Sequence, residues 1–135
     1  MPPEPQSFEV YIDRSLGRHI IAEALGALGI VVRTEHDVFG DREVPVADEE
    51  WLKRAGREGW IVFSKDTKIR YRSRETEALV QYGVRAFVLS SGNLTGPEQA
   101  ECFVRNIEAI TAAAQQPGPF VYAVRRSAIE RLSSP

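Results

Sequence analysis

Short apolar runs rich in β-branched and aromatic residues alternate along the chain with stretches of helical periodicity, and this restricts the fold more than any other feature. The runs are Phe8 to Ile12, Ile30 to Arg33, Trp60 to Phe63, Arg85 to Leu89 and Phe120 to Val124. Each is nearly unbroken in apolar character, as strands buried on both faces must be. Leu16 to Leu28 carries Leu16, Ile20, Ile21, Ala24, Leu25 and Leu28 at helical spacing, and Gly29 stops it. Glu49 to Arg57 is expected to be helical, with Trp51, Leu52 and Ala55 inward and Gly59 at its end. Glu75 to Gln81 and Pro97 to Gln115 complete the helices, the latter closed by Gln116-Pro117-Gly118. Thr34 to Ala47 has no clear period and reads mostly as loop. Strands alternating with helices predict an α/β fold, a mainly parallel sheet of about five strands covered on both faces.

The 135-residue chain has the size of one domain. The expectation is a loose proline-rich tail over residues 1–7 and a single α/β domain over 8–135. Its 43% hydrophobic and 27% charged residues are the balance of a soluble globular protein. No apolar run approaches the roughly 18 residues of a membrane span, and Met1 to Glu9 lacks the basic head and apolar stretch of a signal peptide. A cytoplasmic location is the default expectation. The single cysteine, Cys102, excludes an internal disulfide and belongs on the buried face of a helix.

In an open parallel sheet, ligands sit beyond the carboxyl ends of the strands. Asp13 directly follows the first strand, and Asp66 follows the third across Ser64 and Lys65. Asp48 stands just before the second helix, and helix starts in α/β units share the same edge. Carboxylates are hard ligands that suit Mg²⁺ or Mn²⁺, and such ions leave positions for water and a substrate phosphate. Five bases, Lys65, Lys68, Arg70, Arg72 and Arg74, face one acid over the adjoining stretch. Lys65, Lys68, Arg70 and Arg72 are therefore candidate contacts to a sugar-phosphate backbone, which the net charge of −2 alone does not favour.

Each acid has a plainer reading. Asp13 and Asp48 suit helix N-caps, and Asp66 suits a turn or a pair with Lys68. Three independent caps have no need to share one edge. His19 and His36 lack partners at zinc or triad spacing, Ser64 and Ser90 have no placed histidine base, and Trp51 and Trp60 fit the core.

The segments Val10-Tyr11-Ile12-Asp13-Arg14-Ser15-Leu16-Gly17, Asp48-Glu49-Glu50-Trp51-Leu52 and Gly59-Trp60-Ile61-Val62-Phe63-Ser64-Lys65-Asp66 together resemble the PIN-like domains, in particular the VapC-type toxin branch. The resemblance implies a three-layer α/β/α sandwich and an Mg²⁺- or Mn²⁺-dependent ribonuclease that leaves a 5′-phosphate and a 3′-hydroxyl. It assigns Asp13, Asp48 and Asp66 as metal-holding catalytic acids, with Glu49 a weaker neighbour. It also implies an RNA substrate and a small antitoxin protein, and it is compatible with a homodimer. One departure stands out: the family pattern Lys-Asp-x-Asp ends here in Lys68. Three acids then suffice, or Glu49, Glu50 or another acid substitutes, or the domain binds nucleic acid without cleaving it. A receiver-like phosphoacceptor, with Asp66 phosphorylated and Ser90 sensing it, is a further alternative. Receivers, however, carry an acidic pair after the first strand and a lysine after the fifth, and this chain has Asp13-Arg14 and Arg125-Arg126.

Overall fold

The computed structural model describes residues 8–65, 73–90 and 92–132. The tail expected over 1–7 lies outside them, as do Asp66, Lys68, Arg70 and Arg72. Strands β1 (Glu9–Ile12), β2 (Val31–Thr34), β3 (Ile61–Ser64), β4 (Arg85–Leu89), β5 (Phe120–Val124) and β6 (Ile129–Arg131) form one sheet in the order β2-β1-β3-β4-β5-β6. All neighbours are parallel except β5 and β6. The short edge strand β6, half-exposed to exposed along its length, is additional to the five expected. Its alternation is too brief to stand out from the charged residues around it.

Side-chain alternation divides the core into two layers. Val10, Ile12, Ile61, Phe63, Phe87 and Leu89 point to one face, where they meet α1 (Ile20–Gly26), α5 (Gly96–Arg105) and α6 (Ile107–Ala114). Tyr11, Val62, Ala86 and Val88 point to the other, against Trp51, Leu52 and Ala55 of α3 (Asp48–Glu58) and Ala78 and Leu79 of α4 (Ser73–Gln81). The result is the three-layer α/β/α sandwich. Cys102, Trp51 and Trp60 are buried in it, as expected. Among the described residues no helix is long and apolar enough to cross a membrane.

Three helical expectations change. The helix predicted over Leu16 to Leu28 is a 3-10 turn, Arg14–Leu16, followed by the shorter α1, because Gly17 between them adopts φ +74° and ψ −163°. The helix predicted over Pro97 to Gln115 breaks at Asn106. That buried side chain donates through Nδ2 to the carbonyls of Cys102 and Arg125, both at 2.8 Å, in competition with the helical ladder. The stretch read as loop contains α2 (Glu35–Phe39), opened by a capping box in which Thr34 and Asp37 bond each other's backbone N–H.

β1 lies between β2 and β3, so the chain leaves it in one direction to build β2 and later adds β3 on its other side. This reversal of strand order opens a crevice at the carboxyl end of β1. Asp13 is the next residue.

Candidate active site

Asp13 is 3% exposed, and both of its oxygens are engaged. Oδ1 accepts from the Ser15 backbone N–H at 2.9 Å, by which Asp13 caps the 3-10 turn, and from the Ser15 hydroxyl. Oδ2 accepts from the fully buried Ser64 hydroxyl at 2.7 Å. Ile12 is in register with Phe63, so Ser64 is the residue that β3 places beside Asp13. Burial pushes the Asp13 carboxyl up to about 6; the Ser15 and Ser64 hydrogen bonds oppose this, and the negative charge of Asp48 adds to it. Asp13 is thus both a cap and a strained acid. The cap explains how a carboxylate is tolerated there.

Asp48 is not a cap. The N-cap of α3 is Ala47, which has no side-chain bond to offer, and Asp48 is the first helical residue. Its Oδ1 instead accepts from the indole Nε1 of Trp51 at 2.9 Å, a turn further along the helix. Trp51 is 1% exposed and its ring stacks on Tyr11 at 5.5 Å. A core residue therefore aims the Asp48 carboxylate toward the end of β1.

Tyr11 lies beneath both acids. Its ring is fully buried, and burial, then the charges of Glu35, Asp13 and Asp48, then a hydrogen bond to the Glu35 side chain push its hydroxyl well above the usual phenol range. The same charges identify an acid the sequence reading passed over. Ile12 is in register with Thr34, so the residue after each strand, Asp13 on β1 and Glu35 on β2, emerges side by side at the same edge. The Thr34-x-x-Asp37 box directly after a buried strand is the sequence signal for it.

The acids proposed as substitutes for the residue at Lys68 are engaged elsewhere. Glu49 pairs with Arg74 at 3.6 Å, and Glu50 pairs with Arg42 at 3.3 Å. Among the described residues no three His, Cys, Asp or Glu side chains converge closely enough to hold one ion. The carboxylate oxygens of Asp13, Asp48 and Glu35 that face one another at this edge are nevertheless hard ligands, of the kind that suit a hydrated hard cation.

A cleft of about 330 Å³ opens against this edge, lined by Arg14, Arg18, Glu35, His36, Arg42 and Val46 among others. Arg18 and His36 meet Asp41 at 3.9 and 3.0 Å, whereas Arg14 has no carboxylate partner among the described residues. Exposed Lys65 is fixed to the same corner, since its backbone N–H donates to Ser15 Oγ at 2.9 Å. His36 and His19 are exposed, consistent with surface roles. Ser90 accepts from Arg125, the residue after β5 where a receiver carries a lysine, and Arg125 also pairs with Glu130 at 2.8 Å.

An acid at the switch point of a three-layer sheet, coupled to a helix-start acid, defines the class of PIN-like domains, and residues 8–91, more than half of the chain, match the family described as PIN like domain. The chain belongs to that family. It is also 31% identical over 124 residues, covering 91% of this chain and 90% of the relative, to the Mycobacterium tuberculosis (strain ATCC 25618 / H37Rv) protein named "Putative ribonuclease VapC45". No solved structure matches it.

Proposed function

We propose that the chain is a divalent-cation-dependent endoribonuclease of the VapC type, the toxin of a toxin–antitoxin pair. The observation that carries this reading is the buried Asp13 carboxylate at the strand-order reversal, electrostatically coupled to Asp48. Family membership and a full-length relative named as a ribonuclease support it. Asp13, Asp48 and Asp66 are the proposed ligands of Mg²⁺ or Mn²⁺. When bound, the cation supplies a Lewis acid for the phosphodiester and a means of activating water.

The chain's own residues divide the remaining work. Ser15 and Ser64 hold Asp13 in one orientation and offset part of the cost of its burial, while the Trp51 indole holds Asp48. Lys65, Lys68, Arg70 and Arg72 contact the RNA backbone, joined by Arg14 at the cleft wall. The resemblance to VapC-type toxins brings with it a small antitoxin that covers this edge, and a cytoplasmic location. The test is cleavage of single-stranded RNA with Mn²⁺ and with EDTA, using the parent and Asp13→Asn. Cleavage that needs the cation and is lost in the variant supports the reading. RNA binding without any cleavage would make the chain a non-catalytic nucleic-acid module.

A further inference from the structure

The cleft beside Asp13 carries cations of two kinds. Arg14, at the Asp13 end, has no carboxylate partner among the described residues, whereas Arg18 is paired with Asp41 at 3.9 Å and Arg42 with Glu50 at 3.3 Å. Asp41 also meets His36 Nδ1 at 3.0 Å. Three planar side chains of the lining are thus each restrained by a carboxylate. The lining is also balanced in charge, since the guanidiniums of Arg14, Arg18 and Arg42 are matched by the carboxylates of Glu35, Asp41 and Glu43. A phosphate drawn inside would meet as much negative charge as positive.

A neutral, flat group with polar edges fits these walls better. It finds guanidinium faces to stack on and charged groups of both signs to hydrogen-bond. Val44 and Pro45 add an apolar side, and Val44 is 71% exposed, more than any other large hydrophobic residue described. About 330 Å³ is at the small end for ligand clefts and is room for one nucleobase. Position decides which flat group arrives. Arg14 follows Asp13 directly and Glu35 emerges level with Asp13 on the next strand, so the cleft opens beside that acid. A single RNA strand with its cleaved phosphate at Asp13 brings an adjacent base to the cleft mouth.

We propose that this cleft is a base subsite: it takes the nucleobase on one side of the cleaved phosphate, stacked on the guanidiniums of Arg18 and Arg42 against the Val44 side. This rests on the reading of the chain as a ribonuclease and adds to it a determinant of where on an RNA the chain cuts. Asp41 and Glu50 are positioning residues that hold the two guanidiniums for stacking. Unpaired Arg14, nearest the acid, is left for the phosphate.

The experiment uses single-stranded RNA oligonucleotides containing a bond that the parent cleaves with Mn²⁺, either intact or with the base removed from the nucleotide on one side of that bond or the other. For the parent, removing one of the two bases should lower kcat/KM by roughly 10-fold, the scale of one lost base stack, and removing the other by much less. The double variant Arg18→Lys with Arg42→Lys keeps both charges and removes both planar faces. It should cleave intact RNA roughly 10-fold less efficiently and respond no further to loss of the sensitive base. Val44→Ser, at an exposed position, should give a smaller loss in the same sense and carries the test if the double variant does not fold. The Mn²⁺-induced rise in unfolding temperature should stay parent-like in both, and a variant that loses it acts through the cation site and overturns the inference. A parent indifferent to removal of either base, or variants that keep the parent's full sensitivity, also overturn it and leave the ribonuclease reading standing. Absence of cleavage of any single-stranded RNA by the parent overturns that reading and this inference with it.

Discussion

Trp51 donates its indole N–H to Asp48 Oδ1 at 2.9 Å, so the aim of the helix-start acid is set from inside the core. Asp48→Asn keeps an acceptor for the indole while removing one negative charge from the edge. The metal-free variant should therefore be as stable as the parent or more so, and should lose most of the thermal stabilisation given by Mn²⁺. Trp51→Phe does the reverse. It keeps the acid but frees it, and should cost about 2–4 kcal/mol from a lost charge-assisted bond and a smaller ring, with weaker Mn²⁺ binding. Thermal unfolding of the three proteins with EDTA and with Mn²⁺ checks both, and an unaltered Mn²⁺ shift in Asp48→Asn would remove Asp48 from the site.

Gly56 in α3 marks where that helix meets the end of α4. A Cβ built there would stand 2.4 Å from Tyr82 Cβ and 2.6 Å from the Tyr82 carbonyl oxygen. Glycine to alanine inside a helix ordinarily stabilises by about 0.5–1 kcal/mol. Here the clash is with backbone and should dominate, so Gly56→Ala is expected to destabilise by about 1–3 kcal/mol. Urea unfolding decides the sign. A more stable variant would mean that α3 and α4 can separate at little cost.

How far the sequence could be read depended on whether the determining interaction was local. Asp13 was legible because a carboxylate directly after a buried strand needs no more than the strand to be placed. The layers followed from apolar runs and helical spacing in the same way. Asp48 was placed at this edge as a metal-holding acid, with a helix cap as its plainer reading, and its bond to the Trp51 indole was not foreseen. The spacing from Asp48 to Trp51 fits a side-chain contact on one helix, yet a strong capping preference hid it. Glu35 was missed because its position follows from the register of β1 against β2, which joins residues far apart in sequence. Asn106 is similar: one of its two carbonyl partners, Arg125, comes from the end of β5.

Arg14 stands at the cleft wall next to Asp13, exposed and without an acid partner among the described residues, unlike Arg18 and Arg42. If it holds a phosphate, Arg14→Ala should weaken RNA binding and reduce the slope of log affinity against log salt by about 1. Its Mn²⁺ affinity should not change, since a cation does not ligate another. Lys65→Ala should behave alike. Fluorescence anisotropy across a salt series in an Asp13→Asn background separates binding from cleavage, and coincident curves for parent and Arg14→Ala would confine Arg14 to the solvated surface.

The buried carboxyl of Asp13 makes stability and cation binding depend on pH in opposite senses. Its folded value of about 6 lies above the unfolded value of 3.8, so the folded state holds the proton more tightly between them. The contribution to metal-free stability is full below pH about 4 and is lost as pH rises through about 6, on the order of 2–3 kcal/mol for this group. Cation binding needs the carboxylate, so Mn²⁺ affinity should rise over the same interval and level off above it. Ser64→Ala removes a hydrogen bond that favours the charged form, which should move the rise in Mn²⁺ affinity to higher pH. The measurement is the Mn²⁺-induced shift in unfolding temperature at pH 5 and pH 7.5 for parent and Ser64→Ala. The parent should show a small shift at the lower pH and a large one at the higher, with Ser64→Ala lagging. Equal shifts at both pH values in the parent would mean that the proton on Asp13 does not compete with the cation, and that Asp13 is a buried cap alone.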